Sequence, residues 1–105
     1  GLHGELDRDL ILPQQYTLYQ NYPNPFNPVT NISFDLPEQG YVSLVVFDVM
    51  GREIVRIIDG QINGGHHKVS WRGKHNSGQG VSSGIYFYRL TAGDFQQTRK
   101  MLIIK

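Results

Sequence analysis

The chain has 105 residues, a length that fits one domain around a single hydrophobic core. It contains no cysteine, which excludes disulfides and thiolate metal sites. Ten basic and nine acidic residues give a net charge of +1 without any block of like charge, so nucleic acid is not an expected partner. Twelve glycines, five prolines, six tyrosines and five phenylalanines instead indicate an all-β domain with frequent turns.

The first segment, residues 1–16, is polar and lacks a clear hydrophobic period, so it is predicted to be a linker from an upstream domain. It has neither the basic nor the apolar region of a secretion signal, and it does not begin with Met. We therefore expect a C-terminal piece of a larger protein, with the compact domain at residues 17–105.

A proline-rich segment at residues 23–28, Pro-Asn-Pro-Phe-Asn-Pro, directly precedes the first clear strand pattern. Proline fixes φ and pushes the preceding residue toward extended conformations, so the segment is predicted to be a stiff entry to that strand. Asn24 and Asn27 are expected to shape turns, and Phe26 is expected to be a buried anchor. The prolines are expected to lie along an edge of the fold: Pro23, Pro25 and Pro28.

Alternating apolar and polar residues, with turns every 8 to 12 residues, predict six strands after this entry. They are expected at residues 31–36, 41–49, 52–59, 66–71, 85–92 and 95–105. A turn is predicted at 48–51 and loops at 59–65 and 72–84, and imperfect alternation in the third strand predicts a bulge. The pattern is typical of a small antiparallel immunoglobulin-like β-sandwich of about six to seven strands.

The candidate catalytic and metal-binding motifs lack the neighbouring elements and residues that their chemistry requires. Residues 80–84 match G-x-S-x-G, but no helix pattern follows Ser82 and no histidine follows His75. His66 and His67 are neighbours on a predicted strand and should point to opposite faces, which disfavours a shared metal ion. We predict no catalytic residue, no metal and no cofactor.

Three aromatic residues leave a second function open. Trp71, Tyr86 and Tyr88 could form a sugar-stacking platform, although their alternation favours the core. The alternative is therefore a carbohydrate-binding or purely structural β-sandwich module appended to a secreted hydrolase.

Five motifs then occur in a fixed order: the 23–28 segment, Asp48-x-x-Gly51-Arg52, Trp71-x-Gly73, Ser83-Gly84-x-Tyr86 and the terminal Lys100…Lys105. Together they resemble the type A C-terminal sorting domain of the type IX (Por) secretion system. The pattern is also similar to the immunoglobulin-like domain of the flagellar hook-capping protein. The resemblance runs from about residue 16 to residue 105.

The resemblance implies a non-catalytic signal that directs an exported cargo through the outer membrane and is cleaved afterwards in many family members. It implies three partners: the outer-membrane translocon, a sortase-like peptidase and an upstream cargo domain of the same chain. It implies transit through the periplasm to the cell surface or the medium. The family commonly has acidic residues where this chain has Arg72 and Lys74–His75, which puts any ion or sugar binding by the 72–84 loop in doubt.

The residues that the resemblance implies for translocon recognition are Gly84, Tyr86, Lys100, Met101, Leu102, Ile103, Ile104 and Lys105. If the last strand lies at a sheet edge, it can add to a partner's sheet, and edge pairing would also permit a weak homodimer. The other interpretation is a core strand with charged ends.

Overall fold

Seven strands account for the regular structure of residues 11–105, which are the residues described by this computed structural model. They are β1 (Thr17–Leu18), β2 (Thr30–Leu36), β3 (Gly40–Phe47), β4 (Glu53–Ile62), β5 (Gly65–Trp71), β6 (Gly84–Ala92) and β7 (Phe95–Ile103). Within this part of the chain there is no helix long and apolar enough to cross a membrane. The linker predicted at residues 1–16 lies largely outside the described residues.

The strands form two antiparallel sheets that pack face to face. One sheet has three strands in the order β1-β2-β5, and the other has four in the order β4-β3-β6-β7. The predicted antiparallel β-sandwich of six to seven strands is confirmed. β7, the last strand, lies at an edge of the four-stranded sheet.

The core lies between the sheets. Successive side chains of a strand point to opposite faces, so every second residue of each strand points into the core. β2, β3 and β6 supply most of it, and the end of β7 adds two more side chains. The buried strand residues include Ile32, Phe34, Leu36, Val42, Leu44, Val46, Tyr86, Tyr88, Leu90, Met101 and Ile103. Each such apolar side chain contributes about 1.5–3 kcal/mol on burial, so these strands supply the main stabilisation of the fold.

The prediction of a loop at residues 59–65 is wrong for most of these residues. β4 continues to Ile62, and the connection to β5 is only Asn63 and Gly64. Asp59 and Gly60 have low strand propensity, but they pair with Ser43 and Val42 of β3. Cross-strand hydrogen bonding therefore overrides local preference here.

Two local predictions around β3 and β4 are confirmed. The register of the pair shifts between Leu44 and Val45 and again between Val46 and Phe47, as expected for a bulge. The turn at 48–51 is closed by the Gly51 amide, which donates to the Asp48 carbonyl at 3.0 Å. The turn lies at the end of the sandwich where β6 begins.

Candidate functional site

The C-terminal segment presents only part of itself to solvent. Along the end of β7, Met101 and Ile103 are buried, whereas Lys100 is exposed. Beyond the strand Ile104 is half exposed and Lys105 is exposed. We call the side chains of Lys100, Ile104 and Lys105 the terminal surface.

The edge of this segment is occupied by the chain's own entry loop, residues 23–29, which we call the proline loop. At its apex the Phe26 amide donates to the Leu102 carbonyl at 3.1 Å, and the Ile104 amide donates to the Phe26 carbonyl at 3.0 Å. The side chain of Asn24 accepts a hydrogen bond from the Leu102 amide at 2.9 Å. Gln20 Nε2, just before the loop, donates to the Lys100 carbonyl at 2.8 Å.

These bonds bear on one of the two interpretations of the last strand, the one in which its edge pairs with a partner strand. The amide and carbonyl of Leu102 and the amide of Ile104 already have partners within the domain. A partner strand could add here only by displacing the proline loop, because each backbone N–H donates to one acceptor at a time.

Phe26 anchors the proline loop as predicted, and it is 2% exposed, whereas Pro23, Pro25 and Pro28 are exposed. Its ring packs against Trp71 with centroids 5.8 Å apart and tilted by 56°. Gly73 lies beneath this contact with φ +70°, and a Cβ there would lie 2.6 Å from Ile103 Cδ1. A glycine is therefore required where the proline loop, the 72–84 loop and β7 meet.

Gly84 and Tyr86, both predicted as recognition residues, support β7 from the neighbouring strand. Gly84 pairs with Ile103 and Tyr86 with Met101. Gly84 has φ +149°, a backbone conformation that favours glycine. Tyr86 is 5% exposed, and its hydroxyl donates to the Ser82 carbonyl at 2.7 Å. Neither residue presents a large side chain to solvent.

The aromatic residues considered for sugar stacking do not form an exposed platform. Trp71 and Tyr86 meet edge to face in the core, with ring centroids 6.0 Å apart, and Tyr88 is fully buried. Trp71 Nε1 donates to the Lys74 carbonyl at 3.0 Å. Because sugar stacking needs an accessible ring face, the aromatic argument for the carbohydrate-binding alternative no longer holds.

His66 and His67 point to opposite faces of β5, as predicted. The ring of His67 stacks on the buried Phe34, with centroids 5.2 Å apart. His66 Nδ1 lies 2.6 Å from Asp35 Oδ1 on the outer face. Across residues 11–105 there is no group of three or more His, Asp or Glu side chains placed to hold a metal ion.

Sequence reasoning missed a polar cluster on the outer face of the three-stranded sheet. The Tyr19 hydroxyl and the His66 ring both bond to Asp35, whose side chain is only 9% exposed. The hydrogen bond to Asp35 raises the pKa of Tyr19, with a smaller effect of burial. The signal that brings these residues together is the pairing of Asp35 with His66 across β2 and β5, which is a tertiary register and not a sequence motif.

The family model described as "Secretion system C-terminal sorting domain" matches residues 20–105. The chain belongs to this family. The match covers the proline loop, β2 to β7 and the terminal surface, whereas β1 lies just before it. The family comprises signals for type IX secretion, and the sorting domain is accordingly part of an exported protein.

Solved structures share the fold of the sorting domain. Dimeric latent PorU from Porphyromonas gingivalis matches with a TM-score of 0.69 at 18% identity over 91% of this chain. PorZ, a surface component of the type IX secretion system of the same organism, matches with a TM-score of 0.56 at 20% identity over 86% of this chain. The matches span only 10% of the PorU chain and 11% of the PorZ chain.

FlgD from P. aeruginosa is also similar, with a TM-score of 0.56 at 27% identity over 70% of this chain and 57% of FlgD. No curated protein sequence matches the chain.

Proposed function

We propose that residues 17–105 are a non-catalytic signal that directs an upstream cargo domain through the outer membrane by type IX secretion. The observation that carries this proposal is the family match over residues 20–105. The structure adds a physical reason: the terminal residues are held in one defined position by the proline loop and are not left as a frayed tail. A pre-ordered segment binds a partner at a lower entropic cost.

We further propose that the translocon contacts the terminal surface, whereas the other predicted recognition residues position it. Lys100, Ile104 and Lys105 are exposed around the end of β7. The side chains of Met101, Ile103 and Tyr86 are buried, so a partner cannot contact them while this domain is folded. Leu102 is partly buried, and its backbone is bonded to the proline loop.

The proposed route passes through the periplasm and ends at the cell surface or in the medium. After translocation, a sortase-like peptidase would cut the chain in the segment that precedes β1. A structural spacer that stays attached to the cargo is the competing role.

Export of a reporter tests the sorting role. An inert reporter carrying residues 1–105 at its C-terminus should reach the cell surface or medium of a host with type IX secretion, and it should stay in the periplasm of a mutant that lacks the system. Reporter retained in the periplasm of both hosts contradicts the proposal.

Single substitutions test the terminal surface. Lys100→Glu, Lys105→Glu and Ile104→Asp should each reduce surface reporter without lowering the melting temperature, because they change exposed side chains. Lys68→Glu is the matched control, since Lys68 is exposed on β5 of the opposite sheet. Export of all three variants at the level of the control would exclude the terminal surface as the recognised element.

The mass of the exported fusion distinguishes cleavage from a spacer. Loss of approximately this domain's mass from the surface form supports removal after translocation. A full-length surface form contradicts cleavage, while the reporter assay still decides whether the domain sorts.

A further inference from the structure

We propose that a groove beside the end of β7 binds a phosphate group. The groove has a volume of about 240 Å³, and the residues that line it include Arg72, Lys74, Lys105 and Asn27. This inference does not depend on the sorting role, because it rests on the charges and geometry of the groove itself.

Three cationic side chains from two separate parts of the chain converge on this groove. Arg72 and Lys74 follow β5, and Lys105 follows β7. No Asp or Glu lines the groove, and none of the three cations has an ion-pair partner among residues 11–105. Like charges held close together repel, so a bound anion stabilises the arrangement.

The backbone under the cations is held in place. The Lys74 carbonyl accepts from Trp71 Nε1 at 3.0 Å, and the Gly73 carbonyl accepts from the Val81 amide at 2.9 Å. A Cβ on Gly80 would lie 2.9 Å from Lys105 Nζ, so the ammonium lies directly over this glycine. The groove is therefore a site on an ordered backbone, in contrast to a set of lysines spread over a surface.

Size and charge favour a phosphate group over a larger ligand. The volume is below the roughly 300–1,000 Å³ of pockets for drug-sized molecules. A phosphate monoester carries about −1.5 to −2 charges at neutral pH, which matches a site with several cations. Arg72 offers a planar fork that can bond two phosphate oxygens, and Lys74 and Lys105 add point charges. Other grooves, beside Asp35 and beside Asp48, contain a carboxylate that disfavours an anion.

Titration of the 105-residue chain with inorganic phosphate, followed by amide chemical shifts, tests the proposal. We expect saturable shifts centred on Gly73, Lys74, Gly80 and Lys105, which sodium chloride at equal ionic strength does not reproduce. Arg72→Gln and Lys74→Gln should each weaken binding by roughly tenfold, the usual size of one charge-assisted bond. Lys68→Gln should leave binding unchanged, and preserved spectra will confirm that all variants are folded.

A second arm identifies the source of the phosphate group. If the site serves a lipid headgroup, the chain will sediment with phosphatidylcholine vesicles that contain phosphatidic acid, and Arg72→Gln will reduce this. Binding of inorganic phosphate without sedimentation indicates a soluble phosphate. The proposal is overturned if phosphate gives only the shifts seen with chloride, or if Arg72→Gln and Lys74→Gln bind like the unaltered chain. Neither variant changes the terminal surface, so this failure would leave the export proposal untouched.

Discussion

Phe26 and Leu102 are joined by a backbone hydrogen bond of 3.1 Å that links the entry of the domain to its last strand. The Phe26 carbonyl in turn accepts from the Ile104 amide, so one residue of the proline loop bonds to two residues of the terminal segment. The position of the terminal surface therefore depends on the proline loop. Substitutions that loosen the proline loop should therefore disturb the terminal surface even though they change none of its residues.

Phe26→Ala should destabilise the domain by about 3–5 kcal/mol, because it removes a buried ring and leaves a cavity against Trp71. Denaturant unfolding measures the free energy. Tyr22→Ala is the matched control, since Tyr22 directly precedes the proline loop and is 79% exposed, so this change should lower the free energy of unfolding by less than about 0.5 kcal/mol. Equal losses for the two variants would contradict the role of Phe26 as anchor.

Gly73→Ala should cost about 2–4 kcal/mol, because it combines a left-handed backbone with a clash against Ile103. Gly78→Ala separates the two effects: Gly78 has φ +90°, but nothing lies within 4 Å of its Cβ position. Gly78→Ala should therefore lower the free energy of unfolding by only about 1–2 kcal/mol. Adding Ile103→Val to Gly73→Ala removes the clashing Cδ1 and should recover part of the loss; strictly additive losses would rule out the clash.

Tyr88→Phe should lower the free energy of unfolding by about 1–3 kcal/mol, because two buried backbone groups lose their hydrogen-bond partner. The Tyr88 hydroxyl accepts from the Asn21 amide at 2.7 Å and donates to the Tyr19 carbonyl at 2.8 Å. Thermal and denaturant unfolding of the variant will show the loss. Tyr86→Phe is a useful comparison, because the Tyr86 hydroxyl donates to a partly exposed loop carbonyl, where water can substitute, and the cost should be smaller.

Stability should also fall as the pH rises from about 10 to about 12. Burial raises the pKa of Tyr88 to about 12, while an unfolded tyrosine ionises near pH 10. Between these values the folded state keeps a proton that the unfolded state has lost, so folding becomes less favourable as pH increases. Tyr88→Phe should flatten the decline, as measured by unfolding across this range; an unchanged decline would assign it to other groups.

Asp35→Ala should destabilise the domain by about 1–2 kcal/mol, whereas Asp59→Ala should be close to neutral. Each carboxylate accepts a hydrogen bond from a tyrosine, Tyr19 or Tyr41. The Asp35 side chain is 9% exposed, but that of Asp59 is 45% exposed, so water replaces the second bond readily. Matched urea unfolding curves will compare the two, and a larger loss at Asp59 would contradict the argument.

Local patterns were sufficient for most strands, because alternate burial leaves a two-residue period in the sequence. β5 and β6 were predicted within a residue of their observed bounds, and the bulge in the β3–β4 pair followed from broken alternation. The end of β4 was missed, since Asp59 and Gly60 extend the strand only through their pairing with β3.

For the candidate site, the sequence indicated the right segments but did not indicate how they contact each other. The 23–28 motif and the terminal Lys100…Lys105 could be recognised, and a single phenylalanine among prolines predicted the burial of Phe26. No local rule states that Phe26 bonds to Leu102 and Ile104, or that Asp35 meets His66. Hydrogen bonds between distant segments depend on strand order and register, which local propensities do not specify.

The sequence by itself determined that this is an all-β domain with the motifs of a type IX sorting signal. Only the tertiary structure decided which terminal side chains are accessible and that the proline loop bonds to the amide and carbonyl of Leu102 and to the amide of Ile104. The physical reason is that alternation reports which residues are buried, whereas occupancy of an edge depends on a segment brought there from the opposite end of the domain.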